Sequence, residues 1–387
     1  MIDYSKVISS RAANLKPSGI RKFFDILETM KGVVSLTVGQ PDFPTPWHIR
    51  EAAIDSIQKG KTYYTSNAGT PELRREIGSY LSKRFGIDYD FKQIITTVGG
   101  SEAIDIVIRS IVGEGDEVVL HEPNFVCYDP LVSLCGGKAV IIETKEEEGF
   151  KVTAGALKAA ITEKTKAVIM TYPNNPTGAV MDKKDWEEIA DVLRDTNVVL
   201  ISDEIYAELT YGRDHVSPAA ISDLYDRTIT VGGFSKAFAM TGWRLGYVAA
   251  PQPIIDQILK IHQYAIMCAP TASQFAGIEA LKNGAEDVKM MVAEYDRRRK
   301  ILVAEFAKMG ISCYEPKGAF YVFPNIKQFG LSSEEFAEKL LFEYNCAVVP
   351  GSAFGACGEG FVRISYAYSL DHLYKGLECI KKMIESL

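Results

Sequence analysis

The sequence has 387 residues, of which 47% are hydrophobic and 24% are charged, and its formal net charge is -7. This composition is typical of a globular protein with enough core for roughly two or three domains. An acidic balance argues against bulk binding to nucleic acid or to anionic membranes, because both need a positive field. Any bound anion is therefore expected in a local site.

The N-terminus mixes charged and polar side chains without the apolar stretch of a signal peptide, and no run approaches the roughly 18 apolar residues of a membrane span. We therefore predict a cytoplasmic protein. The seven cysteines are scattered and never spaced as CxxC. Reduced core residues are expected rather than disulfides or metal ligands.

Between about residue 93 and residue 250, short apolar runs alternate with helical stretches. Such runs, apolar along their whole length, indicate a mostly parallel sheet that is covered on both faces. The sequence thus predicts an α/β domain, with ligands at the carboxyl ends of its strands. The runs are QIITTVGG, DEVVLHEP, KAVIIET, TKAVIMTYP, NVVLISDEIY, RTITVGGFSK and LGYVAA.

After about residue 285, helices are separated from a few short strands, which favours a smaller α+β domain. One of these helices carries a cationic cluster at residues 297–300. Acidic Glu294 and Asp296 accompany this cluster, so a solvated, salt-bridged face is expected rather than a phosphate site.

A first candidate anion site lies at TTVGGSEAI. The predicted strand ends at Val98, two glycines allow close approach of the backbone, and Ser101 and Glu102 begin a helix whose free amides suit an anion. A turn that uses glycine for geometry alone is the alternative. Glu102 also fits the ordinary preference for an acid in the first helical turn.

Two further strand ends carry polar side chains. Asp203 and Glu204 follow the apolar NVVLI, where a carboxylate needs a partner, and that partner is either a cationic nitrogen or a helix cap. The phenol of Tyr206 is able to bind an oxygen nearby. Asn175 stands in YPNNPTG, a pattern that is also common in simple turns.

Lys236 and Arg244 lie in FSKAFAMTGWRLGY, among small and aromatic neighbours. A lysine in an apolar cleft has a lowered pKa, so its neutral amine can attack a carbonyl and form a Schiff base. An arginine one loop away is shaped to bind two phosphate oxygens. A phosphorylated aldehyde would satisfy both side chains, whereas a surface lysine is the ordinary alternative.

The motifs NNPTG, SDEIY and FSKAFAMTGWRLGY, in this order, resemble the class I/II pyridoxal-phosphate aminotransferases of fold type I, near the aspartate and aromatic subgroup. The resemblance runs from VGQPDF to FVRISYA. It implies an α/β large domain at 48–285, with a mostly parallel seven-stranded sheet flanked by helices. A small α+β domain would be built from both chain ends, namely 1–47 and 286–387.

The resemblance also implies catalytic roles around pyridoxal 5'-phosphate. Lys236 would form the Schiff base and then act as the general base. Asp203 would keep the pyridine nitrogen protonated, so that the ring withdraws electrons. Asn175 and Tyr206 would bind the phenolic oxygen. Phe125 would stack on the ring, although packing in the core is an equal interpretation.

A set of phosphate ligands is implied as well. These are Arg244, Ser235 and the amides of Gly100, Ser101 and Glu102. Tyr64 would reach the phosphate from the neighbouring subunit, which implies a homodimer. The residue three before the lysine, often serine in this family, is Gly233 here. This departure puts one hydroxyl contact to the phosphate in doubt.

Substrate recognition would depend on Arg363, which would bind the α-carboxylate with help from Asn175 and the backbone of Gly39. An internal ion pair is the alternative for this arginine. Ile20, in PSGIRKFF, would approach the substrate or else belong to a surface helix.

We therefore predict an aminotransferase that moves an amino group from an L-amino acid, such as an aspartate-like or aromatic one, to a 2-oxo acid such as 2-oxoglutarate. Two half-reactions at one site imply ping-pong kinetics. One alternative is a carbon–sulfur β-lyase that acts on cysteine conjugates. Another is a ligand-binding regulator without catalysis. No metal, nucleic acid or membrane is expected as a partner.

Overall fold

Within the residues that the computed structural model describes, which are 1–15, 30 and 32–387, helices alternate with strands along most of the chain. The α-helices are α1 Ser10–Asn14, α2 Trp47–Gln58, α3 Pro71–Phe85, α4 Gly99–Ile111, α5 Tyr128–Leu134, α6 Ala154–Ala160, α7 Lys183–Leu193, α8 Ser222–Tyr225, α9 Gln252–Ala265, α10 Thr271–Asn283, α11 Ala285–Lys308, α12 Ser333–Tyr344 and α13 Leu370–Ile384. The strands are β1 Val34–Ser35, β2 Ile94–Thr97, β3 Glu117–Glu122, β4 Lys138–Glu143, β5 Thr165–Thr171, β6 Val199–Asp203, β7 Thr228–Gly233, β8 Gly246–Ala249, β9 Tyr321–Val322, β10 Cys346–Ala347, β11 Val349–Pro350 and β12 Val362–Ser365.

Strands β2 to β8 form one sheet in the order β2-β8-β7-β6-β5-β3-β4. Strand β8 runs antiparallel to both β2 and β7, and every other neighbouring pair is parallel. The seven strands fall within the seven apolar runs of the sequence. The predicted α/β fold with a mostly parallel seven-stranded sheet is therefore confirmed.

The strands are apolar along their length because both faces of the sheet are covered. In β5, Val168 and Ile169 are each 1% exposed, yet their side chains point to opposite faces. Ile169 belongs to the apolar cluster that contains Val107 of α4, whereas Val168 belongs to the cluster that contains Trp186 of α7. Burial of both faces removes the need for polar alternation along a strand.

The carboxyl ends of the central strands meet at one edge of the sheet. In the register of the parallel pairs, Thr171 of β5 lies beside Asp203 of β6, and Asp203 lies beside Val231 of β7. The loops that follow these strands start at this edge. Polar side chains from distant parts of the chain are thus brought together there.

A second group of short strands joins the two ends of the chain. Strand β1 pairs in parallel with β10, and β11, β12 and β9 form a separate antiparallel sheet. The pairing places Val34 opposite Cys346, so the 34–35 segment lies against the C-terminal region. The division into 1–47, 48–285 and 286–387 stays a prediction.

The cationic cluster of α11 is salt-bridged, as predicted, but the expectation that it is solvated was wrong for two of its members. The side chains of Arg298 and Arg299 are each 6% exposed. Arg298 binds Asp42 and Glu294, and its guanidinium lies 5.7 Å from the ring centroid of Tyr295. The reason is that this face of α11 packs against other segments, which the sequence of the helix alone does not reveal.

His48 of α2 links three helices through its two ring nitrogens. Nδ1 lies 2.7 Å from Glu279 of α10, and Nε2 lies 3.0 Å from Asp287 of α11. Burial lowers the pKa of His48, but the hydrogen bonds to Asp287 and Glu279 outweigh burial and hold the pKa above its ordinary value of 6.5. The protonated ring therefore stabilises the folded state.

We expect His48→Gln to lower the free energy of unfolding more at pH 5.5 than at pH 9. A histidine with a raised folded pKa contributes stability below its unfolded pKa and loses it as the pH rises through the folded pKa. The difference should be about 1 kcal/mol or less, because the pair is partly exposed. Urea unfolding at the two pH values measures it. Equal losses at both would contradict the assignment.

Along the described residues, no helix combines the length and the apolar character needed to cross a membrane. All seven cysteines are free, and Cys346 is buried while the others are partly exposed.

Candidate active site

A cavity of about 310 Å³ opens at the carboxyl edge of the large sheet. The predicted site residues that line it are Gly39, Gly100, Ser101, Phe125, Asn175, Asp203, Tyr206, Ser235, Lys236, Arg244 and Arg363. It is also lined by Ile104, Cys127, Tyr128, Thr171, Ile205, Thr241 and Tyr321, which the sequence did not single out. Among the charged side chains of this lining, three are cationic and one is anionic. The cavity therefore suits a ligand with more than one negative group.

Lys236 follows β7 by three residues, and its side chain points into the cavity. Its Nζ donates a hydrogen bond of 2.5 Å to the carbonyl oxygen of Gly39 and lies 5.8 Å from the ring centroid of Tyr206. Burial, together with the positive charges of Arg363 and Arg244, lowers the pKa of Lys236 to about 8. A neutral, nucleophilic amine is thus accessible near neutral pH.

Asp203 ends β6 at the floor of the cavity. Its Oδ2 accepts a hydrogen bond of 2.8 Å from the Tyr128 hydroxyl, and its Oδ1 accepts one of 3.1 Å from the amide of Ile205. Burial raises the pKa of Asp203 to about 6, against the effect of these hydrogen bonds. A cationic N–H in the cavity would offset this cost of burying the carboxylate.

Glu204, the next residue, faces away from the cavity. Its carboxylate lies 2.7 Å from Nε2 of His215 and accepts a hydrogen bond of 2.7 Å from the hydroxyl of Ser217. The two adjacent acids that follow β6 therefore have separate partners. Asp203 lines the cavity, whereas Glu204 binds His215 and Ser217 outside it.

Arg244 and the start of α4 form the most cationic corner of the cavity. The Arg244 guanidinium donates hydrogen bonds of 3.0 Å to the carbonyl of Thr241 and 3.4 Å to that of Val98, and no carboxylate of the described residues pairs with it. Gly99 adopts a φ of +75°, and a Cβ there would lie 2.5 Å from Nη2 of Arg244. Only glycine lets the arginine approach so closely.

The helix that supplies the amides starts earlier than predicted. Strand β2 ends at Thr97 rather than Val98, and α4 begins at Gly99. The first amides of a helix have no acceptor within it, so those of residues 99–102 are available to an anion. The side chain of Glu102 does not line the cavity, because one of its oxygens accepts from the Val98 amide and the other contacts His262.

Arg363 of β12 also lines the cavity and is 3% exposed. Its guanidinium donates hydrogen bonds of 3.0 Å to Oδ1 of Asn175 and 2.6 Å to the carbonyl of Thr37, while its buried Nε has no partner. Its carbon Cζ lies 4.5 Å from the ring centroid of Tyr321. Among the described residues no carboxylate pairs with this arginine, so the internal ion pair is absent there.

Tyr321 is a cavity residue that the sequence analysis missed. Its hydroxyl lies 2.7 Å from that of Tyr206, and both side chains are at most 3% exposed. A Cβ on Gly39 would lie 2.2 Å from the Tyr321 hydroxyl, so glycine is required at that position. The signal for Tyr321 was weak, because GAFYVFPN reads as an ordinary aromatic strand.

Phe125 and Gly233 both belong to the part of the site that is predicted to hold the cofactor. Phe125 lines the cavity and also packs against the core, so its stacking on the cofactor ring stays a prediction. At Gly233, a Cβ would lie 2.8 Å from Cδ1 of Ile205. A serine there would therefore require the side chain of Ile205, which itself lines the cavity, to shift.

Two other residues of the predicted site, Tyr64 and Ile20, remain. Tyr64 is 79% exposed and does not line the cavity. Ile20 lies outside the described residues.

The sequence pattern of the family described as aminotransferase class I and II matches residues 31–379. The chain belongs to this family. Its members use pyridoxal 5'-phosphate and act on small amino acids and oxo acids. The predicted family, enzyme class and cofactor are thereby confirmed.

The similarity of this aminotransferase to known proteins extends over nearly its whole chain. A Bacillus subtilis protein named YugH is 53% identical over 97% of this chain and 98% of its own. The aspartate aminotransferase of Pyrococcus abyssi is 46% identical over 97% of this chain and 98% of its own. The crystal structure of an aromatic aminotransferase from Pyrococcus horikoshii matches with a TM-score of 0.90 and 44% identity, over 94% of this chain and 99% of its own.

Proposed function

We propose that the cavity binds pyridoxal 5'-phosphate with its phosphate at Arg244, Ser235 and the first amides of α4. The guanidinium of Arg244, which has no carboxylate partner in the described part of the chain, and the free amides fit a phosphate dianion. The buried carboxylate of Asp203 fits the protonated pyridine nitrogen, and the amine of Lys236 fits the aldehyde. When bound, the cofactor supplies an electron sink and accepts the amino group.

In this proposal Lys236 is the general base. Its Nζ would take the proton from Cα of the amino acid and would hold that proton for its return at the end of the transfer. The lowered pKa of about 8 supports this role, because an amine that is partly neutral at pH 7 is able to accept a proton. The contact with Gly39 keeps Nζ on the substrate side of the cavity.

Asn175 and Tyr206 are assigned to the phenolic oxygen of the cofactor. Both are buried, follow the carboxyl ends of β5 and β6, and line the cavity. Each has a side-chain hydrogen-bond donor. Asn175 also accepts from Arg363, so one amide joins the cofactor side of the cavity to the carboxylate side.

We assign Arg363 to the α-carboxylate of the substrate. The main support for an amino acid substrate is that this buried guanidinium has no acidic partner among the described residues and therefore needs an incoming anion. The partnerless Nε supplies a further donor for that anion. The backbone of Gly39 lies beside the same space.

The donor is proposed to be an L-amino acid and the acceptor a 2-oxo acid such as 2-oxoglutarate. The relatives differ here, since the P. abyssi protein is named for aspartate and the P. horikoshii structure for aromatic substrates. In this proposal Lys236 binds the aldehyde, Arg244 the phosphate and Arg363 the α-carboxylate, so all three cations of the cavity are used. A second substrate carboxylate would therefore need a cation from elsewhere.

A panel of amino donors with 2-oxoglutarate tests the proposal. We expect glutamate formation and ping-pong kinetics, with the donors ranked by kcat/KM. Release of pyruvate and ammonia from a cysteine conjugate, without any oxo acid, would instead support the β-lyase alternative. Absence of glutamate with every donor would overturn the proposed substrates.

The active protein is proposed to be a homodimer in which Tyr64 reaches the partner's phosphate. Tyr64 is 79% exposed and Tyr264 is 87% exposed, so both rings are accessible to a partner chain. Their segments are tied together, since Asn67 donates to the carbonyl of Met267 and Thr271 donates to that of Tyr63. A mass measurement in solution tests the dimer.

A cytoplasmic location is part of the proposal, in keeping with the free cysteines.

Tyr128→Phe is expected to lower kcat roughly 10- to 100-fold while KM changes little, because it removes a hydrogen bond to the charged Asp203. Loss of the Tyr128 hydroxyl also raises the pKa of Asp203 further and weakens its hold on the pyridine nitrogen. Steady-state kinetics measure the effect. Tyr80→Phe is the matched control, because its hydroxyl binds Glu208 outside the cavity at 2.7 Å. Equal effects of both changes would contradict the role of Tyr128.

A further inference from the structure

Behind the start of α4, a buried hydrogen bond that no catalytic role explains joins Glu102 to His262 of α9. Nδ1 of His262 lies 2.6 Å from Oε1 of Glu102, and the two side chains are 0% and 9% exposed. The other carboxylate oxygen of Glu102 accepts from the amide of Val98. Glu102 is thus fixed on both of its oxygens.

The hydrogen-bond roles in this pair follow from its partners. A carboxylate only accepts, so Nδ1 of His262 must carry a proton. Nε2 of the same ring is buried and has no hydrogen-bond partner among the described residues. A buried ring with an unsatisfied nitrogen costs free energy, so a leucine of similar volume would serve a purely structural core better. This cost points to a use for the Nδ1 contact.

The pair holds the residue on which the phosphate corner is built. The amide of Val98 donates to Glu102, and the carbonyl of Val98 accepts from Nη2 of Arg244 at 3.4 Å. Gly99, the next residue, begins α4 and lies against the same guanidinium. Rotation of the Val98 peptide units would therefore move both the arginine and the first amides of the helix.

His262 also lies in the last turn of α9, which leads to the exposed segment beside Tyr64. Its carbonyl accepts from the amides of Ile266 and Met267, at 2.9 and 3.2 Å. The carbonyl of Met267 in turn accepts from Asn67. One residue thus contacts the phosphate corner through its ring and the segment at 266–267 through its backbone.

We propose that His262 is a positioning residue for the cofactor phosphate: through Glu102 it fixes Val98, and thereby the amides of α4 and Arg244. The inference rests on the proposed function, since it takes this corner to bind the phosphate. A histidine that only fills the core would instead affect every ligand of the cavity equally.

Binding of pyridoxal 5'-phosphate and of pyridoxal, which lacks the phosphate, separates the two roles. Dissociation constants are measured by absorbance for both ligands on the full-length protein after removal of the cofactor. We expect His262→Leu to weaken binding of the phosphorylated ligand about 10-fold or more and to leave binding of pyridoxal within about twofold.

Two polar variants of the same residue serve as a rescue pair. The amide nitrogen of asparagine overlays Nδ1 of histidine, whereas that of glutamine overlays Nε2. His262→Asn should restore binding to within about threefold of the wild type, and His262→Gln should behave as the leucine variant. Both retain a polar side chain, so the test does not depend on the folding of His262→Leu. His48→Leu, which removes a histidine from carboxylates outside the cavity, should change neither constant.

The possible failures are distinguishable. If the wild type binds both ligands with equal affinity, the phosphate corner itself is wrong, and with it this part of the proposed function. If the wild type prefers the phosphorylated ligand and His262→Leu and His262→Gln keep that preference, only the role of His262 is overturned. Equal weakening of both ligands would also overturn it, as would failure of asparagine to restore binding.

Discussion

Lys236→Ala is expected to lower kcat for transamination about 10⁴-fold, because the change removes the group that moves the proton at Cα. The fold should persist, since the side chain is only partly buried and ends in a hydrogen bond to Gly39. The measurement is a single turnover with an amino acid, together with the content of bound cofactor. Loss of turnover with the cofactor retained is the expected pattern.

Lys260→Ala is the matched control for this experiment. Lys260 lies on α9, and its Nζ binds Gln257 at the surface rather than the cavity. It should retain wild-type turnover. Undiminished transamination by Lys236→Ala would remove the basis of the assigned mechanism, whatever cofactor the protein holds.

Arg363→Leu is expected to lower kcat/KM for amino acids about 10³-fold, because truncation of one partner in a buried charge pair costs about 2 to 5 kcal/mol. Since carboxylate binding precedes the chemistry, KM should rise strongly. Arg363→Lys should recover only part of the loss, because an ammonium keeps the charge but not the planar fork of donors.

The substrate provides the second half of this test. An amino acid amide, which lacks the negative carboxylate, should be a poor donor for the wild type and should lose little further in Arg363→Leu. Arg299→Leu is a suitable control, because its side chain is equally buried but binds Asp296 and Glu315. That variant should lose stability and keep its KM. A similar loss of kcat/KM for acid and amide would contradict carboxylate recognition.

Most of the large sheet was predictable from local pattern. Strands such as β5 and β6 are apolar along their length because helices cover both faces, and that pattern is visible without any knowledge of neighbours. Lys236, Asp203 and Asn175 were predictable in a different way. Each follows an apolar strand, and strand ends of an α/β sheet are where ligands bind.

Other features of the site depend on contacts that local pattern does not encode. Tyr128 binds Asp203 although 75 residues separate them, and Tyr321 approaches Gly39 from the C-terminal region. Neither residue differs in its sequence surroundings from an ordinary core tyrosine. The burial of Arg298 was missed for the same reason, because its partner Asp42 comes from the other end of the chain.

The sequence by itself determined the α/β class, the succession of strands and the chemical types gathered at their ends, because periodicity and residue chemistry are local properties. Only the tertiary structure decided which charges have partners. It paired Glu204 with His215 and Glu102 with His262, and it left Arg244 and Arg363 without a carboxylate among the described residues. The physical reason is that the cost of burying a charge depends on what surrounds it in space, and those surroundings come from segments far apart in the chain.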